Sequence, residues 1–129
     1  MNTLTLDRLG GVASACCSLH CLTMAFAPAI VTLLAVDFLA HESFEWGLFA
    51  AAVTLAITAA GLGFRAHRNR RVLMGFGAGV AVLMAGRLGE AFSLYEGAMG
   101  LAVAGGFILV LSHVASARET RACKPAVRA

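Results

Sequence analysis

Residues 10–28, GGVASACCSLHCLTMAFAP, place three cysteines and a histidine inside an otherwise apolar run. On a helix advancing about 100° per residue, Gly10, Ser14, Cys17, Cys21, Met24 and Pro28 fall within roughly 40° of one line. Cys16, His20 and Thr23 share the adjacent stripe, while Val12, Leu19, Leu22 and Phe26 point the opposite way. One side therefore suits lipid and the other suits partner helices. Small residues at Gly10, Ser14 and Ser18 let a neighbouring backbone come close beside the sulfurs, as small-xxx-small spacing does in membrane helices. The thiols are expected to face protein.

Working outward, the whole chain has a membrane composition. Its 129 residues give room for one domain, and 60% hydrophobic against 13% charged residues is far from ordinary soluble usage. The net charge is +3, but Lys and Arg gather in short segments between apolar runs, without interleaved aromatics on a helix face. That pattern does not support nucleic-acid binding. Cys16, Cys17 and Cys21 lie close together on one expected helix and Cys123 lies near the other end. An adjacent pair and an i, i+4 pair fit disulfide geometry poorly, so reduced thiols are expected.

Four apolar segments stand out, at about 9–36, 46–64, 72–86 and 97–116. A hydrocarbon core of about 30 Å needs around 20 helical residues, which the first, second and fourth supply. The third is shorter, and Arg71 and Arg87 at its ends are expected to snorkel to the interfaces. With their flanks the last two give spans of about 70–88 and 96–116. Gly75 and Gly79 provide a close-packing pair in the third. The expected fold is an all-α membrane protein, an antiparallel bundle of four transmembrane helices filling residues 1–129 as one domain.

Charge sets the orientation. Residues 65–71, RAHRNRR, and the tail RETRACKPAVRA are basic, and both are expected in the cytoplasm. Residues 37–45, DFLAHESFE, hold three acids and no Lys or Arg, and residues 87–96 hold one Arg against two acids. These face outward. Four spans with N and C termini cytoplasmic satisfy all of these assignments, and Trp46 and Tyr95 then sit at the outer interface. A cleaved signal peptide ending at Ala25-Phe26-Ala27 fits less well. The apolar run is too long, its lead carries little positive charge, and Pro28 would adjoin the cut bond. A lipoprotein site at Ala13-Ser14-Ala15-Cys16 lacks the usual leading Leu.

Thiolate, thioether and imidazole are soft or borderline ligands, so Cys17, Cys21, His20 and Met24 select thiophilic ions over Mg or Ca. Spacing at i, i+3 and i+4 lets Cys17, His20 and Cys21 occupy one helix turn. A single buried Cys is most often a small hydrophobe. Two thiols with an imidazole between them change the balance, because ionisable groups inside the hydrocarbon usually mark a pathway. Cys17, His20 and Cys21 are the principal ligand candidates, with Cys16, Met24, His41, His113 and Cys123 as auxiliaries. His41 with Glu42 and Glu45 could gather cations at the outer mouth, although a solvated acidic loop is the commoner explanation. His67 reads as a solvated member of the basic hairpin. His113 is expected near the depth of Cys16 and Cys17, where a contact is conceivable, the alternative being an interfacial histidine capped by water or backbone.

Ser14-x-x-Cys17-x-x-His20-Cys21 with Pro28 following resembles the first helix of the MerC mercury-resistance family. Asp7-Arg8-Leu9-Gly10, His41-Glu42, the basic hairpin with His67, and His113 ahead of Cys123 extend the resemblance over nearly the whole chain. It implies a multi-pass bacterial inner-membrane protein of four helices. In that family the first-helix cysteine pair takes a mercuric ion from the outer side and passes it inward to mercuric reductase or another thiol acceptor. Plasmid-borne mercury transporters carry Cys-x-x-Cys followed closely by Pro. This chain has Cys17-Ser18-Leu19-His20-Cys21, and its tail keeps Cys123 without a second cysteine, so it looks more like the chromosomal branch.

Together these features point to a carrier of mercuric ion or a related soft metal, with no permanent cofactor and no catalytic residues. The expected partners are the lipid bilayer, the ion and a cytoplasmic acceptor, with a homo-oligomer left open. Two rivals come from other classes. A membrane thiol-disulfide oxidoreductase would need Cys-x-x-Cys or a second outer pair, and Cys123 is expected inside. A non-transporting metal-binding or sensory subunit would carry the same ligands.

Overall fold

In a computed structural model the chain is an antiparallel helical bundle, described over residues 3–26 and 41–123. Its helices are α1 Thr3–Phe26, α2 Glu42–His67, α3 Arg70–Ala91 and α4 Ala98–Cys123. All four are long and apolar enough to cross a membrane. At about 1.5 Å per residue they reach about 33–39 Å, more than a hydrocarbon core of about 30 Å.

The expected four-span, all-α architecture is therefore the one found, but the helices mostly run beyond the apolar segments. α1 starts at Thr3 rather than Leu9, α2 at Glu42 rather than Trp46, and α4 continues to Cys123, which closes a helix instead of lying in a tail. Polar groups near these ends find partners inside the bundle, so hydropathy falls before the helix stops. Asp7, expected as a flank, is 3% exposed. The stretch of the first span after Phe26, Pro28 included, lies outside the described residues.

Two features position the helices. The α2–α3 turn is two residues long: Arg68 takes a left-handed φ of 55° and donates its N–H to the Phe64 carbonyl, and Asn69 Oδ1 caps α3 by accepting from Arg71 N–H at 3.0 Å. Asn69 Nδ2 also donates to Glu119 at 3.1 Å, tying this turn to the end of α4. The start of α1 lies at the same end, where Asp7 meets His113 and Ser116. The start of α1, the end of α4 and the basic hairpin thus share one end of the bundle.

The second feature is α4, which packs against all three other helices and most extensively on α3. The α3–α4 crossing is close because Gly86 faces the backbone of Ala98 and Ala102 while Gly105 faces the backbone of Leu83. Gly75 and Gly79 lie on the same interface, against Ser112 and Leu109. A Cβ at Gly86 meets main chain that cannot step aside. Gly86→Val is expected to destabilise the bundle by about 1–3 kcal/mol or more. The check is thermal unfolding in detergent, and an unchanged midpoint would contradict the close crossing.

Candidate metal site

α1 divides as its sequence periodicity demands. Gly10, Ser14 and Cys17 are buried and Cys21 and Met24 half-buried, whereas Val12, Leu19 and Phe26 are 63%, 64% and 82% exposed. Cys16 is exposed on the flank. The stripe of small residues lets α4 close over α1: Gly106 sits against Ser14 and Ser18, and the His113 ring fills the space above Gly10. Cys17 and Cys21 accordingly face protein, and Cys16 does not.

What they face is a cavity of about 10 Å³, room for about one water molecule. α1 contributes Cys17, His20, Cys21 and Met24, α2 contributes Glu45, α3 contributes Arg87 and Glu90, and α4 contributes Met99. Cys17 and Cys21 lie one helical turn apart on this lining. Two thiols, two thioethers and an imidazole therefore line one space. Among the described residues no three His, Cys, Asp or Glu side chains converge tightly enough to cage an ion. The cavity presents a thiol pair rather than a preformed polyhedron of ligands. All four cysteines are free.

The cavity wall is ionic. Arg87 Nη2 donates to Glu45 Oε2 and Nη1 to Glu90 Oε2 at 2.9 Å, while Trp46 lies 5.1 Å from the guanidinium carbon. His20 Nε2 stands 3.6 Å from Glu45 Oε1, in ion-pair range but too far for a good hydrogen bond. Its ring packs edge-on against Phe44. Arg87 was expected to snorkel to the interface. It is instead 7% exposed and turned inward, because two carboxylates there satisfy its charge better than the bilayer edge would. Glu45 likewise belongs to the wall and not to an outer loop.

The auxiliary candidates separate. His41 is exposed and caps α2, its Nδ1 accepting from Ser43 N–H at 3.4 Å. Glu42 accepts from Trp46 Nε1, so neither lines the thiol cavity. Tyr95 lies in the α3–α4 connection and donates its hydroxyl to the Ala85 carbonyl. Cys123 is exposed at the end of α4 that lies beside the start of α1, away from the thiol cavity. His67 is half-buried, its Nδ1 accepting from Asn69 N–H, so it belongs to the turn and is not simply solvated.

His113 does not meet the cysteines. It is 1% exposed and stands 3.5 Å from Asp7 Oδ1, with Ser116 Oγ donating to Asp7 Oδ2 at 3.0 Å and the Phe76 ring edge-on at 4.8 Å. The depth estimate erred by placing α4 too far along α1: the ring seats over Gly10, two turns before Cys17. This second polar cluster locks α1 to α4. Of the residues missed in sequence, Arg87 and Glu90 at i, i+3 carried a readable signal. Glu45 and Met99 carried none that was local.

Residues 7–118 match the family described as MerC mercury resistance protein. No curated protein matches the chain, and neither does any solved structure.

Proposed function

The chain belongs to the MerC mercury resistance family, and from that premise we propose that it carries mercuric ion, or a closely related thiophilic ion, inward across the bacterial inner membrane with Cys17 and Cys21 as its ligands. The observation that carries this is the cavity itself, where two thiols one helical turn apart and two thioethers face a space large enough for one water. A hydrated ion does not fit there. A bare divalent ion would be costly in so small a site, but two thiolates neutralise its charge. The Glu45–Arg87–Glu90 network keeps its carboxylates occupied with a guanidinium, leaving sulfur as the ligand on offer. His20, beside the thiols, is placed to accept a thiol proton. Cys123 at the other end is the next thiol on the way to a cytoplasmic mercuric reductase or similar acceptor.

The test is accumulation of mercury, copper, zinc and cadmium by cells expressing the wild type or the Cys17→Ser/Cys21→Ser double variant. Mercury accumulation should fall to the level of cells lacking the protein in the double variant, and zinc should be unaffected. Unchanged mercury uptake would overturn the assignment.

Inward transport also requires a direction. Reporter fusions after residues 70 and 120 are expected to report cytoplasm, and fusions near His41 and Gly89 periplasm, from the basic bias of residues 65–71 and of the tail. An outward hairpin would reverse the direction of transport.

A further inference from the structure

A second concave surface lies away from the thiols, on the lipid-facing seam between α1 and α4. It is a groove of about 360 Å³. Its upper part is apolar, lined by Val12 and Ala15 of α1 and Val110 and Val114 of α4, and Gly11 leaves its floor without a side chain. Its lower end, where the start of α1 meets the end of α4, is lined by Arg8, Arg118 and Arg121, all exposed.

A buried acid, Asp7, lines the groove beside these three arginines. Among the described residues none of them is in an ion pair. The nearby acids are already engaged: Asp7 is turned inward to Ser116 and His113, and Glu119 accepts from Asn69. Guanidinium groups converging at the end of a groove suit a phosphate, which they hold through bidentate hydrogen bonds. The apolar lining continues from Arg8 to Ala15, about 10 Å along the helix, or roughly two-thirds of one leaflet's hydrocarbon depth. An inorganic anion would leave that lining bare, whereas an acyl chain covers it.

We propose that the α1–α4 groove binds one anionic phospholipid, its headgroup phosphate on Arg8, Arg118 and Arg121 and one acyl chain along Val12 and Val114. The ligand belongs to the leaflet at the end of the bundle where α1 starts and α4 ends. Basic pockets between membrane helices select anionic headgroups in this way.

The protein purified in neutral detergent is titrated with phosphatidylglycerol and with phosphatidylcholine, and retained lipid is counted by mass spectrometry of the intact protein. One phosphatidylglycerol per chain is expected, preferred over phosphatidylcholine by at least about tenfold. Arg8→Gln/Arg118→Gln/Arg121→Gln should abolish that preference, and Arg8→Lys/Arg118→Lys/Arg121→Lys should keep much of it. Val12→Trp, which fills the groove with every charge intact, should also displace the lipid. Arg65→Gln/Arg70→Gln/Arg71→Gln removes equal charge from the hairpin at the same end and should leave binding unchanged. Helicity of each variant is followed by circular dichroism. Equal retention of the two lipids, equal loss in the hairpin variant, or inorganic phosphate binding as tightly as phosphatidylglycerol would each overturn the proposal.

Discussion

Replacing either Cys17 or Cys21 by Ser is expected to cut mercuric ion uptake by at least about tenfold, because a hydroxyl is a hard, weak ligand that does not ionise at neutral pH. One remaining thiolate also leaves more of the bound divalent ion's charge unneutralised in a partly buried cavity, which is costly. Cys16→Ser, on the exposed flank, should stay near the wild-type level. Each thiol that ligates the ion gives up a proton, so binding should weaken in acid by up to roughly tenfold per pH unit for each proton displaced. His20→Ala should slow transport while leaving equilibrium binding measurable. Uptake is followed with radioactive mercury in intact cells, and binding with the purified protein. Wild-type uptake in both serine variants, with loss in Cys16→Ser, would show that the wrong face of α1 carries the ion.

The second large effect belongs to Arg87. Arg87→Met leaves Glu45 and Glu90 facing each other across the cavity with no cation between them. Breaking a buried pair on one side costs about 3–5 kcal/mol, and the partial exposure of Glu45 and Glu90 places this case near 3 kcal/mol. The variant should accumulate poorly and melt at a lower temperature in detergent. Arg87→Met combined with Glu45→Gln and Glu90→Gln should recover part of the loss, since the uncompensated charges go with it. A melting temperature equal to that of the wild type in Arg87→Met would mean that the three side chains are not coupled.

How far the sequence could be read followed the range of the interactions. The four crossings are written locally, in apolar runs and basic connections, and so is the thiol face, because a period of 3.6 residues sorts Cys17 and Cys21 from Leu19 and Phe26 within a few turns. Helix ends were misplaced wherever a polar residue had a distant partner. Asp7 was read as a flank because His113, 106 residues away, carries no local sign of it. Arg87 was read as an interfacial anchor because a basic residue at the end of an apolar run usually is one. Its i, i+3 spacing to Glu90 offered a contrary sign, and only the fold supplied Glu45. Met99 entered the cavity through the α3–α4 crossing, which the glycines made close in a way no hydropathy profile records.

The Glu45–Arg87 pair also has a history in time. Forty-two residues separate its two members, about 2 to 8 s of ribosomal elongation at about 5–20 residues per second. α2 ends at His67, so about 20 residues, or roughly 1 to 4 s, separate its completion from the synthesis of Arg87. His20, already synthesised on α1, stands beside the same carboxylate in the finished bundle. In order of synthesis His20 and Glu45 therefore both precede the arginine that closes the cavity wall.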